Sequence, residues 1–219
     1  MPYRLLLHTA ASPARNMAID ESLLRHVQSP VLRIYSWDQP CVSIGYFQKA
    51  QLAPTDRPMV RRFTGGGLVE HGKDLTYTLV LPPTHPLTTS GTLSSYRKIH
   101  SAIAHALQKS GVPCQLATDQ PKQDDPACFL KPVPADILNP QGHKLAGAAQ
   151  RRTKQGCLHQ GSILLPQTIP PILFNLLPTS LADCLGDNAT PSSLTSAELQ
   201  LSNSLEKERY ATHDWNFSR

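Results

Sequence analysis

Three separated stretches of this chain carry residue types that could do chemistry. The first, RRFTGGGLVEH at positions 61 to 71, sets Gly65, Gly66 and Gly67 side by side behind two arginines. Glycine loses more backbone entropy on folding than any other residue, so a triplet destabilises the chain unless bare backbone is needed there. Such a segment lets the main chain approach a ligand closely and present its N–H groups. A tight hairpin turn between two strands would account for it equally well. The spacing is not GxGxxG, and the Lys-Ser/Thr ending of a phosphate-binding loop is missing.

The second stretch is HKLAGAAQRR, positions 143 to 152, where Lys144 precedes an alternating run with Ala146, Gly147 and Ala148. Small side chains leave room for a narrow ligand beside a strand; the plainer reading of the lysine is an edge charge. The third, PACFLKPV at 126 to 133, places Cys128 where a polar loop turns into apolar sequence. A thiolate beside a cation has a lowered pKa and becomes a competent nucleophile, which Lys144 could provide. A small buried hydrophobe is the plainer reading for any of the five cysteines, at 41, 114, 128, 157 and 184. They form an odd set without a CxxC pair, which fits free thiols in a reducing compartment better than a disulfide or zinc framework. Of the nine histidines only His71, His143 and His159 fall in or beside these stretches, and none has metal-ligand spacing with another.

Alternation and turn signals predict the elements that must hold these residues. Strands are expected at 3–8, 31–35, 41–45 and 75–81, with short ones at 59–62 and 68–71 flanking the glycines. A meander of 136–138, 144–150 and 158–165 follows. Helices are expected at 16–27, with Asp20 and Glu21 early enough to suit the dipole, and at 94–110, stopped by Gly111. Residues 115–127 read as a polar surface loop. Beyond 167 the pattern predicts proline-rich short helices, a Ser/Thr-rich stretch at 188–195 and a last helix over 196–210. Together these give an α+β domain of mixed β-sheets flanked by helices.

The 219 residues are 40% hydrophobic and 17% charged with a net charge of +5, an ordinary globular profile. No run approaches the roughly 18 apolar residues of a membrane span, and the N-terminus lacks a signal-peptide pattern, so a cytoplasmic protein is expected. The positive balance points weakly to an acidic or phosphate-bearing partner. Nucleic acid is disfavoured: there is no long Lys/Arg run, aromatic content is 6%, and no RNA-binding or zinc-finger motif is present.

The blocks NMAIDESLL (16–24), LRIYSWDQPCVSIGYFQ (32–48), RRFTGGGLVEHGKDLTYTL (61–79), HKLAGAAQRR (143–152) and LHQGSILL (158–165), taken in order, resemble the lipoate–protein ligase and octanoyltransferase family. The resemblance covers nearly the whole chain and implies one biotin/lipoate ligase-like catalytic domain over 1–219, without a separate C-terminal accessory domain. It implies that Arg62, Thr64, Gly65, Gly66, Gly67 and His71 line an acyl tunnel and its mouth. It further implies that Lys144 bonds the acyl carbonyl beside Gly147, and that Gln150, His159 and Gly161 bind substrate from neighbouring strands. Cys128–Phe129 matches the Cys-Phe of members that form acyl-enzymes. That match implies transfer of an octanoyl or lipoyl group, without a cofactor, to a lysine of an apo lipoyl domain. The donor would be acyl carrier protein or a lipoyl-bearing glycine-cleavage protein. The alternative within the family is an ATP- and Mg-dependent lipoate ligase working through lipoyl-adenylate. The sequence departs from the family pattern at Ala148, where a serine is often found, and in the polarity of the loop before Cys128. The glycine-arginine-glycine loop of biotin ligases is absent.

Overall fold

The computed structural model describes residues 2–118, 133–165, 168–186 and 188–219. Strand β1 (Tyr3–Leu7) leads into helix α1 (Pro13–Arg25), followed by β2 (Val31–Tyr35) and β3 (Cys41–Ile44). Short strands β4 (Met59–Arg61) and β5 (Val69–His71) flank the glycine segment, and β6 (Leu75–Leu81) follows. Next come α2 (Pro86–Thr89), α3 (Thr92–Lys109), β7 (Gln115–Leu116), β8 (Ile137–Leu138), β9 (Lys144–Thr153) and β10 (Gly156–Ile163). The chain closes with α4 (Leu173–Leu185), β11 (Ala189–Pro191), α5 (Ser196–Leu205), a π-helical turn (Glu206–Tyr210) and α6 (His213–Asn216).

Among the described residues eight strands form one mixed sheet in the order β11-β1-β2-β6-β10-β9-β8-β7, and β4-β3-β5 form a second, smaller one. The fold is α+β, as the sequence pattern predicts. Alternation along β6 separates two cores. Leu75, Tyr77, Leu79 and Leu81 join Ile99, Ile103 and Leu107 of α3, with Leu173, Leu177 and Leu181 of α4 packed on the same cluster. Val80 points the other way, into a cluster with Ile19, Leu23 and Leu24 of α1 and Leu158 of β10. A strand buried on both faces cannot show a polar side, and β6 is buried throughout.

The glycine segment is not a hairpin. β4 runs parallel to β3 and β5 antiparallel to it, on opposite sides, so the segment crosses over β3 rather than turning between partners. Helix α1 starts earlier than expected. Ser12 caps it, its hydroxyl accepting the Arg15 N–H at 3.2 Å, and Pro13 fills a first-turn position that needs no donor. Asp20 and Glu21 therefore stand mid-helix, fully buried, and serve as ion-pair centres rather than dipole partners. Asp20 accepts from Arg33 at 2.7 Å, Tyr35 at 3.0 Å and Thr78 at 2.7 Å. Glu21 accepts from Arg25, Arg209 and Tyr210, tying the C-terminal segment to α1. Buried carboxylates of this kind persist only when their lone pairs are met by donors, as here.

Candidate active site

The two faces of the β9–β10 ribbon follow from register. Gln150 pairs with His159, Ala149 with Gln160, Ala148 with Gly161 and Gly147 with Ser162. Cross-strand partners share a face, so Gly147, Ala149, Gln160 and Ser162 lie on one side and Ala148, Gln150, His159 and Gly161 on the other.

The first side meets the glycine segment. A Cβ on Gly66 would lie 3.2 Å from the Ala149 Cβ and 3.4 Å from Arg62 Nη2, and Gly66 has φ +86°, a conformation that favours glycine. Gly65 has open space where its Cβ would be. Arg62 lies underneath. Its guanidinium donates to the Gly65 carbonyl at 3.0 Å, the Gly67 carbonyl at 2.7 Å, and the Ser43 carbonyl and hydroxyl at 2.8 and 2.7 Å. Burial brings the Arg62 pKa down to about 10, still leaving it charged near neutrality. Thr64 pins the segment from the other end, donating to Gln160 Oε1 at 2.7 Å while Gln160 Nε2 donates to Asp20 Oδ2 at 2.7 Å. Next to it Arg151 donates to the Phe63 carbonyl at 3.0 Å and stacks on the Tyr46 and Phe63 rings. Gly45, which the sequence reading did not single out, is indispensable to this packing. A Cβ there would fall 2.0 Å from the Gly66 carbonyl oxygen.

His71 stands behind the segment. Its Nδ1 faces Asp74 Oδ2 at 2.8 Å, its Nε2 faces Ser43 Oγ at 2.6 Å, and its ring stacks on Trp37 with centroids 4.1 Å apart. Burial lowers the His71 pKa, outweighing the Asp74 contact that raises it. The Asp74 carboxyl is held below its ordinary value. Burial pushes it up, but hydrogen bonds from His71, Ser162 and Thr76 outweigh that effect. Arg62, Ser43, His71 and Asp74 thus form a continuous polar brace under the crossover.

Lys144 reaches the same face by an irregularity. Ile137 pairs with Ala146 but Leu138 pairs with Lys144, so Leu145 is an extra residue in β9. Strict alternation would put Lys144 and Gly147 on opposite sides; a bulge changes that parity and re-aims the side chain. The lysine lies across Gly147, where an added Cβ would sit 2.2 Å from its Cε and 2.4 Å from its Nζ. The Nζ pairs with Asp136 Oδ2 at 2.8 Å, with the lysine side chain 42% exposed and the carboxylate fully buried. Gly147 and Ala149 are alternate residues of one face, about 7 Å apart. The ammonium and the glycine segment therefore flank a short strip floored by the smallest side chains.

The structure divides the predicted set. Lys144, Gly147, Thr64 and Gly65–Gly67 come together, with Arg62 and His71 as their support. Gln150, His159 and Gly161 lie on the opposite face against α3. A Cβ on Gly161 would overlap the Tyr77 ring, 2.2 Å from its Cζ, so this glycine makes room for the tyrosine. Arg152 donates to Gln150 Oε1 at 3.1 Å, which turns the amide nitrogen toward His159 Nδ1, 3.0 Å away. His159 Nε2 then donates to Tyr77 Oη at 3.3 Å, Tyr77 to His100 Nε2 at 3.2 Å, and His100 Nδ1 to the Ala135 carbonyl at 2.8 Å. From Gln150 to His100 every member of the chain is neutral in this scheme. Burial agrees with it, taking His100 down to about 4 and His159 well below its ordinary value.

Cys128 lies outside the described residues. The four other cysteines are all poorly suited to nucleophilic work: burial pushes Cys41 up to about 12 and raises Cys114, Cys157 and Cys184. Among the described residues no group of three or more His, Cys, Asp or Glu could hold a metal ion, and no helix is long and apolar enough to cross a membrane.

The mixed sheets with their flanking helices are a fold held in common with known proteins. The chain belongs to the lipoyl protein ligase A/B catalytic-domain family, whose model matches residues 12–195. It is 32% identical to the octanoyltransferase LipM of Brevibacillus brevis, over 99% of both chains. It is likewise 32% identical to the octanoyltransferase LipM of Symbiobacterium thermophilum, over 98% of both. In fold it resembles a bipartite lipoate protein ligase of Thermoplasma acidophilum, with TM-score 0.77 and 24% identity over 99% of this chain and 96% of that one. A lipoate–protein ligase A solved with ATP superposes with TM-score 0.81 and 24% identity over 99% of each chain.

Proposed function

We propose that this chain is an acyltransferase that moves an octanoyl or lipoyl group from an acyl carrier to a lysine of a lipoyl domain, through an acyl-enzyme on Cys128. The observation that carries the reading is the Lys144 ammonium over Gly147, one alternate position from the contact between Gly66 and Ala149. A medium-length acyl chain can lie along that strip against bare backbone, with its carbonyl toward the lysine. The octanoyltransferase relatives support octanoyl transfer over the ligase alternative.

The thiolate of Cys128 attacks the donor thioester, a new thioester forms, and the carrier thiol leaves with a proton. The acceptor lysine, as a free amine, then attacks the acyl-enzyme; an amide forms and the cysteine thiol is regenerated. Each step passes through a tetrahedral oxyanion, and an ammonium held in place beforehand stabilises charge there without reorganising. The donor is already a thioester and the product amide is more stable, so this route needs no ATP or Mg. Those would be required only by a ligase. Acyl carrier protein and lipoyl-bearing glycine-cleavage protein are the candidate donors and apo lipoyl domains the acceptors. The net charge of +5 would help steer acidic partners in. The reading assigns the reaction to the cytoplasm.

The test is incubation with octanoyl carrier protein and apo lipoyl domain, without ATP, followed by intact mass. Octanoylated domain is expected from the wild type and none from Cys128→Ala. Lipoate-dependent pyrophosphate release with full activity in Cys128→Ala would overturn the reading in favour of the ligase.

A further inference from the structure

The lysine strand carries more buried machinery than a lysine needs to reach solvent. β9 outruns β8, whose pairing stops at Ala146, so among the described residues no part of β8 lies beside the Ala148 N–H. Tyr96 of α3 reaches it instead, and its hydroxyl accepts the Ala148 N–H at 2.8 Å. The same hydroxyl donates to Asp136 Oδ1 at 2.6 Å. Asp136 Oδ2 accepts the Val133 N–H at 2.9 Å and pairs with the Lys144 ammonium at 2.8 Å. Each oxygen of this carboxylate is thus met by a donor.

The preceding residue is held in a costly conformation. Ala135 has φ +67°, the sole positive φ among the described non-glycine residues, and it is 1% exposed. A left-handed alanine persists only where its surroundings over-determine it. Here its carbonyl takes the His100 Nδ1–H at 2.8 Å and its N–H goes to the Ala117 carbonyl at 3.0 Å. Burial, reinforced by the charge and hydrogen bond of Asp136, holds the Tyr96 hydroxyl in its protonated, donating form.

We propose that Asp136, clamped by Tyr96, is the positioning residue that fixes the Lys144 ammonium over Gly147 for acyl transfer. It rests on the reading above, in which Lys144 meets the acyl carbonyl. A lysine has four rotatable bonds and a compact charge that water would otherwise draw outward. Asp136 takes one of its three N–H donors, and among the described residues the others stay available to a ligand oxygen. Two features make the placement specific. Gly147 leaves the space the lysine stem fills, and the Tyr96 bond to Ala148 fixes the carboxylate to the strand that carries the lysine.

A four-member comparison of octanoyl transfer to a lipoyl domain tests this, using wild type, Lys144→Ala, Asp136→Asn and the double variant. Asp136→Asn keeps the shape but loses the charge, and kcat should fall up to about 100-fold with little change in KM for the octanoyl carrier. Because Asp136 acts through the lysine, the double variant should be no slower than Lys144→Ala alone. A purely structural aspartate would give losses that multiply, and that result would overturn the proposal. Normal kcat in Asp136→Asn beside a slow Lys144→Ala would also overturn it, leaving the wider reading intact. Full activity in Lys144→Ala would remove both. Should Asp136→Asn fail to fold, Tyr96→Phe removes only the clamping hydroxyl. It should show a smaller kcat loss in the same direction, vanishing on the Lys144→Ala background; an unchanged kcat would count against the clamp.

Discussion

On one face of the β9–β10 ribbon stand Gly147, Ala149, Gln160 and Ser162; on the other stand Ala148, Gln150, His159 and Gly161. The residues alternate one by one along the same two strands. The face with the histidine and the amide chain looks the more chemical in sequence, yet Gln150, His159, Tyr77 and His100 are tied into a relay of neutral groups that ends on the Ala135 carbonyl. The other face offers small side chains, and its chemistry comes from outside, from Lys144 across Gly147 and from Gly66 on Ala149. Chemical side-chain type marked the supporting face. Missing side chains marked the candidate site.

The sharpest break between the faces should come from Lys144. Loss of a single oxyanion donor typically costs on the order of 100- to 1,000-fold in kcat, and Lys144→Ala should fall in that range while melting close to wild type. Lys144→Arg should stay impaired, because the planar fork does not match the slot left by Gly147 for a narrow stem. Transfer assays beside thermal melts measure both; near-normal transfer in either variant would show that the small-residue face is not where the carbonyl is met.

Gly66→Val should come next. The valine would be forced to φ +86° and pressed against Ala149 in the strip itself. Strain of this kind costs about 1 to 3 kcal/mol, which a buried fold can absorb, so the protein should remain folded with acyl transfer abolished or nearly so. A folded Gly66→Val enzyme with normal transfer per molecule would reduce the crossover to a mere connection.

The opposite face should respond in reverse. His159→Asn cannot bridge Gln150 and Tyr77 as the imidazole does, and buried polar groups left unsatisfied cost about 1 to 3 kcal/mol each. In a chain of this length each kcal/mol lowers Tm by about 2 to 4 °C. Turnover per folded molecule should be retained. A variant that melts normally but has lost turnover would move His159 into the catalytic set and erase the contrast between the faces.

Much of the scaffold was legible. The alternation over 31–35 and 75–81 matches β2 and β6 residue for residue, because turn residues flank both runs and packing agrees with their period. Other elements left no side-chain trace. β11 pairs in parallel with β1 through backbone bonds while all three of its residues are exposed, so nothing in the Ser/Thr-rich stretch announced a strand. Helix α4 runs 13 residues through Pro178, against the proline-rich pattern; the Tyr3 hydroxyl donates to the Pro178 carbonyl at 2.7 Å. In the site, Lys144 and the glycines were readable from type and spacing. Asp136 and Gly45 were not. One acts through a bulge that flips parity, the other through a contact with a backbone oxygen distant in sequence. The faces of Gln150 and His159 depended on the register of a sheet that no single stretch encodes.

Acid should expose the difference between the faces most gently, through stability rather than rate. His100 and His159 are buried neutral, the first with its pKa taken down to about 4 and the second well below the ordinary value, in both cases mainly by burial. Their unfolded values are the usual ~6.5. Between those limits the unfolded chain binds protons that the folded chain refuses, so unfolding becomes easier as pH falls. The stabilising effect is fully present above about pH 6.5 and is lost on the way down toward the depressed values. Each such histidine can contribute a slope of up to about 1.4 kcal/mol per pH unit. His8, also lowered to about 4 by burial and Arg33, and His71 and His85, both lowered mainly by burial, add to the same trend, so the wild-type curve alone cannot isolate the relay. His159→Asn can. Urea midpoints from about pH 7 to about pH 5 should give a shallower slope in the variant, by close to one proton. An unchanged slope would mean that His159 already titrates in the folded protein, and that the face against α3 is wetter and more reactive than its packing states.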